Sequence, residues 1–365
     1  FIEYSEDQEC QVIPGVEINV GGIHVLVYFK EIPYEQLTFS EGIKKFLSKI
    51  DIDNPKTNGR LTVTQKSILD VLDEIIAQNG IYIFPHCNTD NGLFQERNRT
   101  DRTNLSDIYN YKKHVLLQGK SKKAINIVEG YIQSNSVEMF KSEPISTISP
   151  DSRKLNNIGS SDDDGNYCWI KADPTLNGLR QTIYEKERVF IGDTPETIIR
   201  MKNNKTKFIK SIEIEKISDD FDEIWFENIK LNLNPELIAI IGNKGNGKSA
   251  LTDIIGLLGN SKNQKDFSFL NSKKFRLHPD RSQYYEGKII WESDDNESKL
   301  LDSKIQPFDS ESVMYLPQNY LETLCSEISG GEKEDEFEKE LKNVIFSHVP
   351  TEKKLSQKSL DELIN

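Results

Sequence analysis

The stretch Leu237-Ile-Ala-Ile-Ile-Gly-Asn-Lys-Gly-Asn-Gly-Lys-Ser249 decides how this chain is read. Its first five residues are apolar and predict a buried strand. Gly242, Asn243, Lys244, Gly245, Asn246, Gly247, Lys248 and Ser249 then spell a G-x-x-x-x-G-K-S pattern, and Ala250 to Leu258 opens an apolar helix. Strand, glycine-rich turn and helix in that order are the context in which this pattern builds a phosphate site. The glycines let successive backbone N–H groups curl round an anion. The helix N-terminus adds unpaired N–H groups and partial positive charge. The expected ligands are ATP and Mg²⁺. Lys248 is expected to reach the β- and γ-phosphates and Ser249 to hold the ion, with the loop from Gly242 to Ala250 cradling the phosphates.

Working outward, Phe208–Ile217 and Ile224–Leu233 predict strands ahead of the loop. Trp225 or Phe226 reads either as an adenine-stacking aromatic or as core. Gly287–Glu292 predicts a further strand with a polar turn behind it, and Val313–Asn319 predicts a strand that ends in Gln318. Asp335–Val349 predicts an acidic helix with Phe337, Leu341, Val344, Ile345 and His348 on one face. The chain turns polar between Asp193 and Lys207, which marks a domain junction and splits it into residues 1–200 and 206–365.

The 365 residues suffice for two domains, and 36% hydrophobic with 29% charged residues suits a globular protein. No run approaches the roughly 18 apolar residues of a membrane span, so no membrane partner is expected. Cys10, Cys87, Cys168 and Cys325 are widely spaced with no CxxC, which suits a reducing cytoplasm. A net charge of −13 excludes attachment to nucleic acid by the overall field. A local basic groove is the remaining route, and its best cluster is Arg97, Arg99, Arg102, Lys112, Lys113, Lys120, Lys122 and Lys123. The preferred reading of the same residues is a solvated loop.

In the N-terminal half, Val12–Val20 and Ile23–Phe29 predict two strands round Gly21-Gly22. Glu17 and His24 fall inside these apolar runs, where an ionisable group needs a partner or a metal. A helix is predicted near residues 64–79, closed by Gly80, and then a strand from Ile81 that delivers His86 at its end. Another helix is predicted around Ala124–Ile132, followed by an acidic turn, Ser160-Ser-Asp-Asp-Asp-Gly165. Imidazole with carboxylate suits Zn²⁺, Mn²⁺ or Fe²⁺. The candidate ligands are Glu17, His24, His86 and Asp162, with His24 also readable as a hydrogen-bonded core histidine and Asp162 as a solvated turn residue. His114, His278 and His348 have no ligand-like company.

These segments carry a resemblance. Pro14-Gly-Val-Glu-Ile18 with His24, Phe84-Pro-His-Cys-Asn88 and Gly159-Ser-Ser-Asp162 resemble the metal-site strands of the PHP (polymerase and histidinol phosphatase) family. Trp169-Ile-Lys-Ala-Asp-Pro174 with Gly178-Leu179 resembles the end of the PHP domain in TrlF-type proteins, which fuse PHP to an ABC/SMC-like ATPase. The resemblance implies an α/β fold: a PHP-like distorted (β/α) barrel, then the N-terminal lobe of an ABC/SMC-type P-loop ATPase head. It implies that Gln318 reaches Mg²⁺ and the attacking water, so that Gln318 joins Lys248 as a catalytic candidate. It places the family's His-x-His strand before Phe1, and its coiled coil, second lobe and Walker B strand beyond Asn365. Asp164 stands where the family has a late histidine. Ser329-Gly330-Gly331 is similar to the ABC signature but follows Gln318 too soon, and reads as a turn before the acidic helix.

The activity implied for the whole protein is ATP-driven homodimerisation of the heads, coupled to metal-dependent phosphodiester hydrolysis on nucleic acid, in antiphage defence or DNA/RNA processing. Two alternatives are that the PHP part is a non-catalytic scaffold with ATP as a conformational switch, and that the chain is a small-molecule phosphatase regulated by nucleotide. This chain alone is expected to bind ATP with little turnover.

Overall fold

The computed structural model describes residues 12–29, 37–54, 56–57, 60–95, 102–111, 115–135, 139–149, 157–218, 225–226, 228–277, 279–322, 338, 341–346, 349 and 351–364. The chain divides into two units, Phe1–Pro195 and Glu196–Asn365.

The first unit is organised by a hairpin, β1 (Gly15–Val20) and β2 (Ile23–Tyr28), paired antiparallel with Asn19 opposite His24. Gly21 and Gly22 make the turn at φ 60° and 94°, a region other residues enter at a cost, and Gly22 N–H is held by Asn19 Oδ1. A small hairpin, β3 (Lys56–Thr57) and β4 (Arg60–Leu61), precedes β5 (Val63–Thr64). β5 pairs parallel to β1, and β6 (Ile81–Ile83) pairs antiparallel to β2, giving the order β5-β1-β2-β6. A parallel bridge from Phe84 to Leu117 carries the array on to β7 (Leu116–Gly119), which pairs parallel with β8 (Ile145–Ile148). β9 (Tyr167–Ile170) and β10 (Val189–Gly192) form a separate antiparallel pair beside β8.

Alternation along β2 sends Ile23, Val25 and Val27 into the core and turns His24, Leu26 and Tyr28 to the opposite face. Three amphipathic helices seal the core face. α1 (Phe39–Lys49) starts at a reciprocal Thr38/Glu41 capping box and buries Phe46 and Leu47. α2 (Ile68–Ala77) is capped by Ser67 and buries Val71, Leu72 and Ile75. After α3 (Arg102–Asn110) and β7, Ser121 caps α4 (Lys122–Ser134), which buries Ile125, Val128 and Ile132. Phe94, Tyr109, Tyr131 and Phe140 meet edge-on or tilted beneath them. A short α5 (Leu176–Gln181) follows β9.

The unit is mixed α/β with small sheets, and among the described residues no barrel closes. The physical reason is the mixed pairing: a β-hairpin opens the array, so the strand ends do not all point one way as they do in repeated β/α units.

The second unit begins with α6 (Glu196–Asn203) and is built on an antiparallel sheet, β12-β11-β13-β14. β11 (Ile209–Lys216) is central, between β12 (Ile229–Asn232) and β13 (Tyr285–Trp291), and β14 (Asn296–Leu300) closes one edge. α7 (Lys248–Leu258) packs into the same core as this sheet through Ala250, Ile254, Leu257 and Leu258, with Ile212, Tyr285 and Ile289. The described part of the acidic helix, 341–346, is helical.

Two expected strands do not join a ladder. Leu237–Ile241 and the residues before Gln318 run without strand pairing, and Leu237 and Ile241 are 93% and 88% exposed. Apolar side chains predict a buried strand only when neighbouring strands exist to bury it, and none among the described residues flanks this run.

Two candidate functional sites

In the first unit the register of β1 and β2 makes the site. Glu17 lies opposite Leu26 and Asn19 opposite His24, so Glu17 and His24 share the face turned from the core and are diagonal neighbours. His86 comes from the turn after β6. Cys87 N–H donates to Gln118 O at 3.0 Å, and His24 N–H donates to Asn91 O at 2.8 Å, which pins the turn to β7 and β2. His86 holds φ 33°, an unusual value for a side-chain-bearing residue, and a Cβ on Gly92 would lie 2.3 Å from His86 O. Only glycine at position 92 lets the loop fold this tightly over the histidine.

The three donors converge. His24 Nδ1 is 2.9 Å from Glu17 Oε1 and 3.2 Å from His86 Nε2, and His86 Nε2 is 3.6 Å from Glu17 Oε1. With bonds of about 2.0–2.2 Å, tetrahedral donors sit about 3.4 Å apart and octahedral neighbours about 3.0 Å. The triangle therefore fits one face of either polyhedron, and the His₂-carboxylate set suits Zn²⁺ or Mn²⁺. His86 Nδ1 and Asn88 Oδ1 are buried with no hydrogen-bond partner among the described residues. The cluster opens on a cavity of about 870 Å³, lined also by Asn88, Asp90, Gln118 and Lys120. Cys87, next to His86, faces the core, where burial pushes its thiol up to about 12 and excludes a neutral-pH thiolate nucleophile.

Asp162 does not join this cluster. Its carboxylate accepts from the backbone N–H groups of Lys122 (2.9 Å), Asp164 (3.1 Å) and Asn166 (2.8 Å) and from Asn166 Nδ2 (3.0 Å). It caps α4 and closes its own turn, so Asp162 itself is neither solvated nor metal-facing, while Asp163 and Asp164 are exposed. Desolvation would raise its pKa, but the hydrogen bonds from Lys122, Asn166 and Asp164 together outweigh it and hold the carboxyl below its ordinary value. Of the basic cluster, Lys120 lines the metal-site cavity, while Arg97, Arg99, Lys112 and Lys113 lie outside the described residues.

In the second unit the phosphate loop is contiguous. Gly242, Gly245 and Gly247 hold φ 156°, 92° and 80°. A Cβ on Gly245 or Gly247 would touch nothing, so the conformation demands glycine there and not the space. Gly247 is the N-cap of α7, and Lys248 and Ser249 stand in its first turn, where N–H groups have no intrahelical acceptor. Lys248 Nζ donates to Gly242 O at 2.8 Å and Asn243 O at 2.9 Å and so spans the loop. Lys244, Asn246 and Ser249 are exposed, and Ala250 is the first residue to enter the core.

Gln318 starts a helical turn, is exposed, and donates from Nε2 to Glu322 Oε1 at 2.6 Å. Phe226 is core, against Phe269, Phe275 and Tyr285. Trp225 is 44% exposed and meets Phe275 edge-on, with the Arg281 guanidinium 5.4 Å from its ring, so its face already has a cation. Ser329, Gly330 and Gly331 lie outside the described residues, as do His114, His278 and His348. Sequence reasoning missed Thr252, Asp253 and Tyr315, which connect α7 to the chain before Gln318. The signal for them was Asp253, a carboxylate at a core position of an apolar helix.

No protein family, curated protein or solved structure matches this chain. No helix among the described residues is long and apolar enough to cross a membrane.

Proposed function

We propose that this chain is an ATP-binding protein with a second, metal-binding site. In this reading ATP-driven pairing of P-loop heads in a homodimer controls metal-dependent phosphodiester hydrolysis on nucleic acid. The observation that carries the nucleotide half is the loop itself: three glycines at positive φ lead into a helix whose first turn presents Lys248 and Ser249. Unpaired N–H groups, an ammonium and a hydroxyl at one point suit a Mg²⁺–polyphosphate. The Lys248 contacts to Gly242 O and Asn243 O are the ones a β/γ-phosphate would replace.

For the metal half, Glu17, His24 and His86 would hold Mn²⁺ or Zn²⁺. Such an ion, when bound, supplies Lewis-acid polarisation of a phosphoester and an acidified water. His24 Nδ1 faces both Glu17 and His86, so binding through it requires that nitrogen to be free of its proton. Glu17 then both ligates and orients His24, and the Gly92 turn fixes His86. One observation favours the scaffold alternative. Asp162 is committed to capping α4, which leaves three of the four candidate donors at the site.

Calorimetric titration tests the proposal: Mg²⁺–ATP should bind one equivalent and Mn²⁺ a second, independent site. Absence of ATP binding sinks the nucleotide reading. Absence of Mn²⁺ binding leaves the first unit a scaffold. Single-stranded DNA or RNA incubated with Mn²⁺ separates hydrolysis from mere metal binding.

A further inference from the structure

We infer that Tyr315 is a positioning residue that couples Gln318 to the first turn of α7 through Thr252 and Asp253. The inference rests on reading the loop as a Mg²⁺–ATP site and names how its two metal-facing candidates, Ser249 and Gln318, are held in step.

Asp253 is fully buried on α7. Its Oδ2 accepts Phe269 N–H at 2.6 Å and Leu270 N–H at 3.1 Å, and its Oδ1 accepts the Tyr315 hydroxyl at 2.8 Å. A buried carboxylate costs several kcal/mol unless such donors surround it, so a carboxylate here is a costly way to make only a packing contact. The Tyr315 ring packs close against the helix because position 256 is glycine: a Cβ there would be 2.6 Å from Tyr315 Cδ1. The main chain is stitched down too. Tyr315 O accepts from Asn263 Nδ2 at 2.8 Å, and Ser312 N–H and Val313 N–H both donate to Gly259 O. The chain before Gln318 is therefore fixed to α7 at both the ring and the backbone.

The proton count shows how this anchor connects to the phosphate loop. The Tyr315 hydroxyl has one proton and gives it to Asp253. The Thr252 hydroxyl also has one, with three acceptors in reach: Lys248 O at 3.4 Å, Ser249 O at 3.2 Å and Tyr315 Oη at 3.1 Å. It bonds either to the turn that carries Lys248 and Ser249 or to Tyr315. Ser249 lies four residues, about 6 Å of helix, from Asp253. Gln318 lies three residues beyond Tyr315, at most about 11 Å of chain. The anchor thus limits where Gln318 can go to the neighbourhood of the Ser249 end of α7. Its amide donates to Glu322 Oε1, an exposed contact that a bound Mg²⁺ would have to replace.

The test is the affinity of AMP-PNP, measured by calorimetry in Mg²⁺ and in EDTA, for the parent, Tyr315→Phe, Gln318→Ala and the double variant. Tyr315→Phe should match the parent in EDTA and bind about 3- to 10-fold more weakly in Mg²⁺, the worth of one hydrogen bond. Gln318→Ala should show a similar Mg²⁺-only loss, and the double variant no more than Gln318→Ala alone. Thr252→Val approaches the same bridge from the helix side and should reproduce the Mg²⁺-only loss. Equal losses in Mg²⁺ and EDTA, or losses that multiply in the double variant, reduce Tyr315 to a packing residue and overturn the inference. A parent that binds no AMP-PNP in either condition instead defeats the reading of the loop, and the inference with it.

Discussion

The two candidate sites are built on opposite plans. In the second unit every group proposed to face a phosphate comes from one run, Gly242 to Ala250. In the first, the donors come from positions 17, 24 and 86 and meet only because β1, β2 and the turn after β6 lie side by side. A contiguous site needs local conformation: three positive-φ glycines and a helix start. A dispersed site needs the register of a sheet. A slip of β1 by one residue would turn Glu17 into the core and Ile18 out to the cavity, and the site would vanish without any ligand residue changing. The plans also fail differently, and that is where they can be tested.

The largest effect expected is at the contiguous site. Lys248→Ala should weaken ATP binding on the order of 100-fold or more, because it removes the point charge expected on the β- and γ-phosphates. Its present contacts are two carbonyls of an exposed loop, so melting of the variant should match the parent. Calorimetry with a parallel melting curve decides it, and an unchanged ATP affinity would end the nucleotide assignment. At the dispersed site, His86→Ala should cost at least about 10- to 100-fold in Mn²⁺ affinity, the loss usual for residues that only support a ligand. Mn²⁺ affinity should be unmoved in Lys248→Ala, and ATP affinity unmoved in His86→Ala. A cross-effect would show that the two plans are not independent.

Next in size is a stability effect that tests how α7 is held. Val313 packs against Gly259, where a Cβ would fall 2.3 Å from the valine side chain. Gly259→Ala should therefore destabilise the second unit by about 1–3 kcal/mol, the usual cost of overpacking. Urea unfolding followed by the emission of Trp225 and Trp291 reads it. A neutral result would mean that the chain at 312–315 lifts from α7 cheaply.

What could be read from the sequence divides along the same line. The loop, the helix after it, the β1–β2 hairpin, and the strands at 81, 209 and 285 follow from period, turn residues and caps, all local signals. Glu17, His24 and His86 were legible as candidates by residue type and by resemblance. Their convergence follows from the resemblance, which puts all three at one set of strand ends, and the structure brings them together; the hairpin register that does so was not legible, because cross-strand register is a tertiary property. Asp162 misled because an aspartate in an acidic turn looks alike whether it faces water, a metal or the N-terminus of a helix forty residues earlier. Leu237–Ile241 misled for a related reason: apolarity reports what a segment would bury, not whether a neighbour is there to bury it. β14, Asn-Glu-Ser-Lys-Leu, is almost wholly polar and was hidden because an edge strand facing water needs no apolar pattern.

The smallest effect sets the two units against each other through two carboxylates that are buried for opposite reasons. In the first unit, Asp162 is held below its ordinary value: desolvation pushes it up, but its backbone and side-chain hydrogen bonds together win. Its stabilisation is present above the unfolded-state value near 3.9, and is lost as pH falls through the lower folded value. In the second unit, Asp253 is raised, because desolvation outweighs the bonds from Phe269, Tyr315 and Leu270. A raised carboxyl binds more protons folded than unfolded. Its contribution is complete below the unfolded value and is lost as pH rises through the higher folded one. Between the unfolded value and neutrality, acidification should therefore tighten α7 while leaving α4 unmoved. Below the unfolded value it should loosen α4. Amide exchange on peptides from the two helices, corrected for intrinsic pH dependence, would resolve the two opposite slopes. Asp162→Asn should flatten the acid loss at α4, and Asp253→Asn should flatten the opposite trend at α7. Parallel slopes in the two helices, or slopes that survive both substitutions, would show that the acid response comes from the other carboxylates of this chain and not from these two.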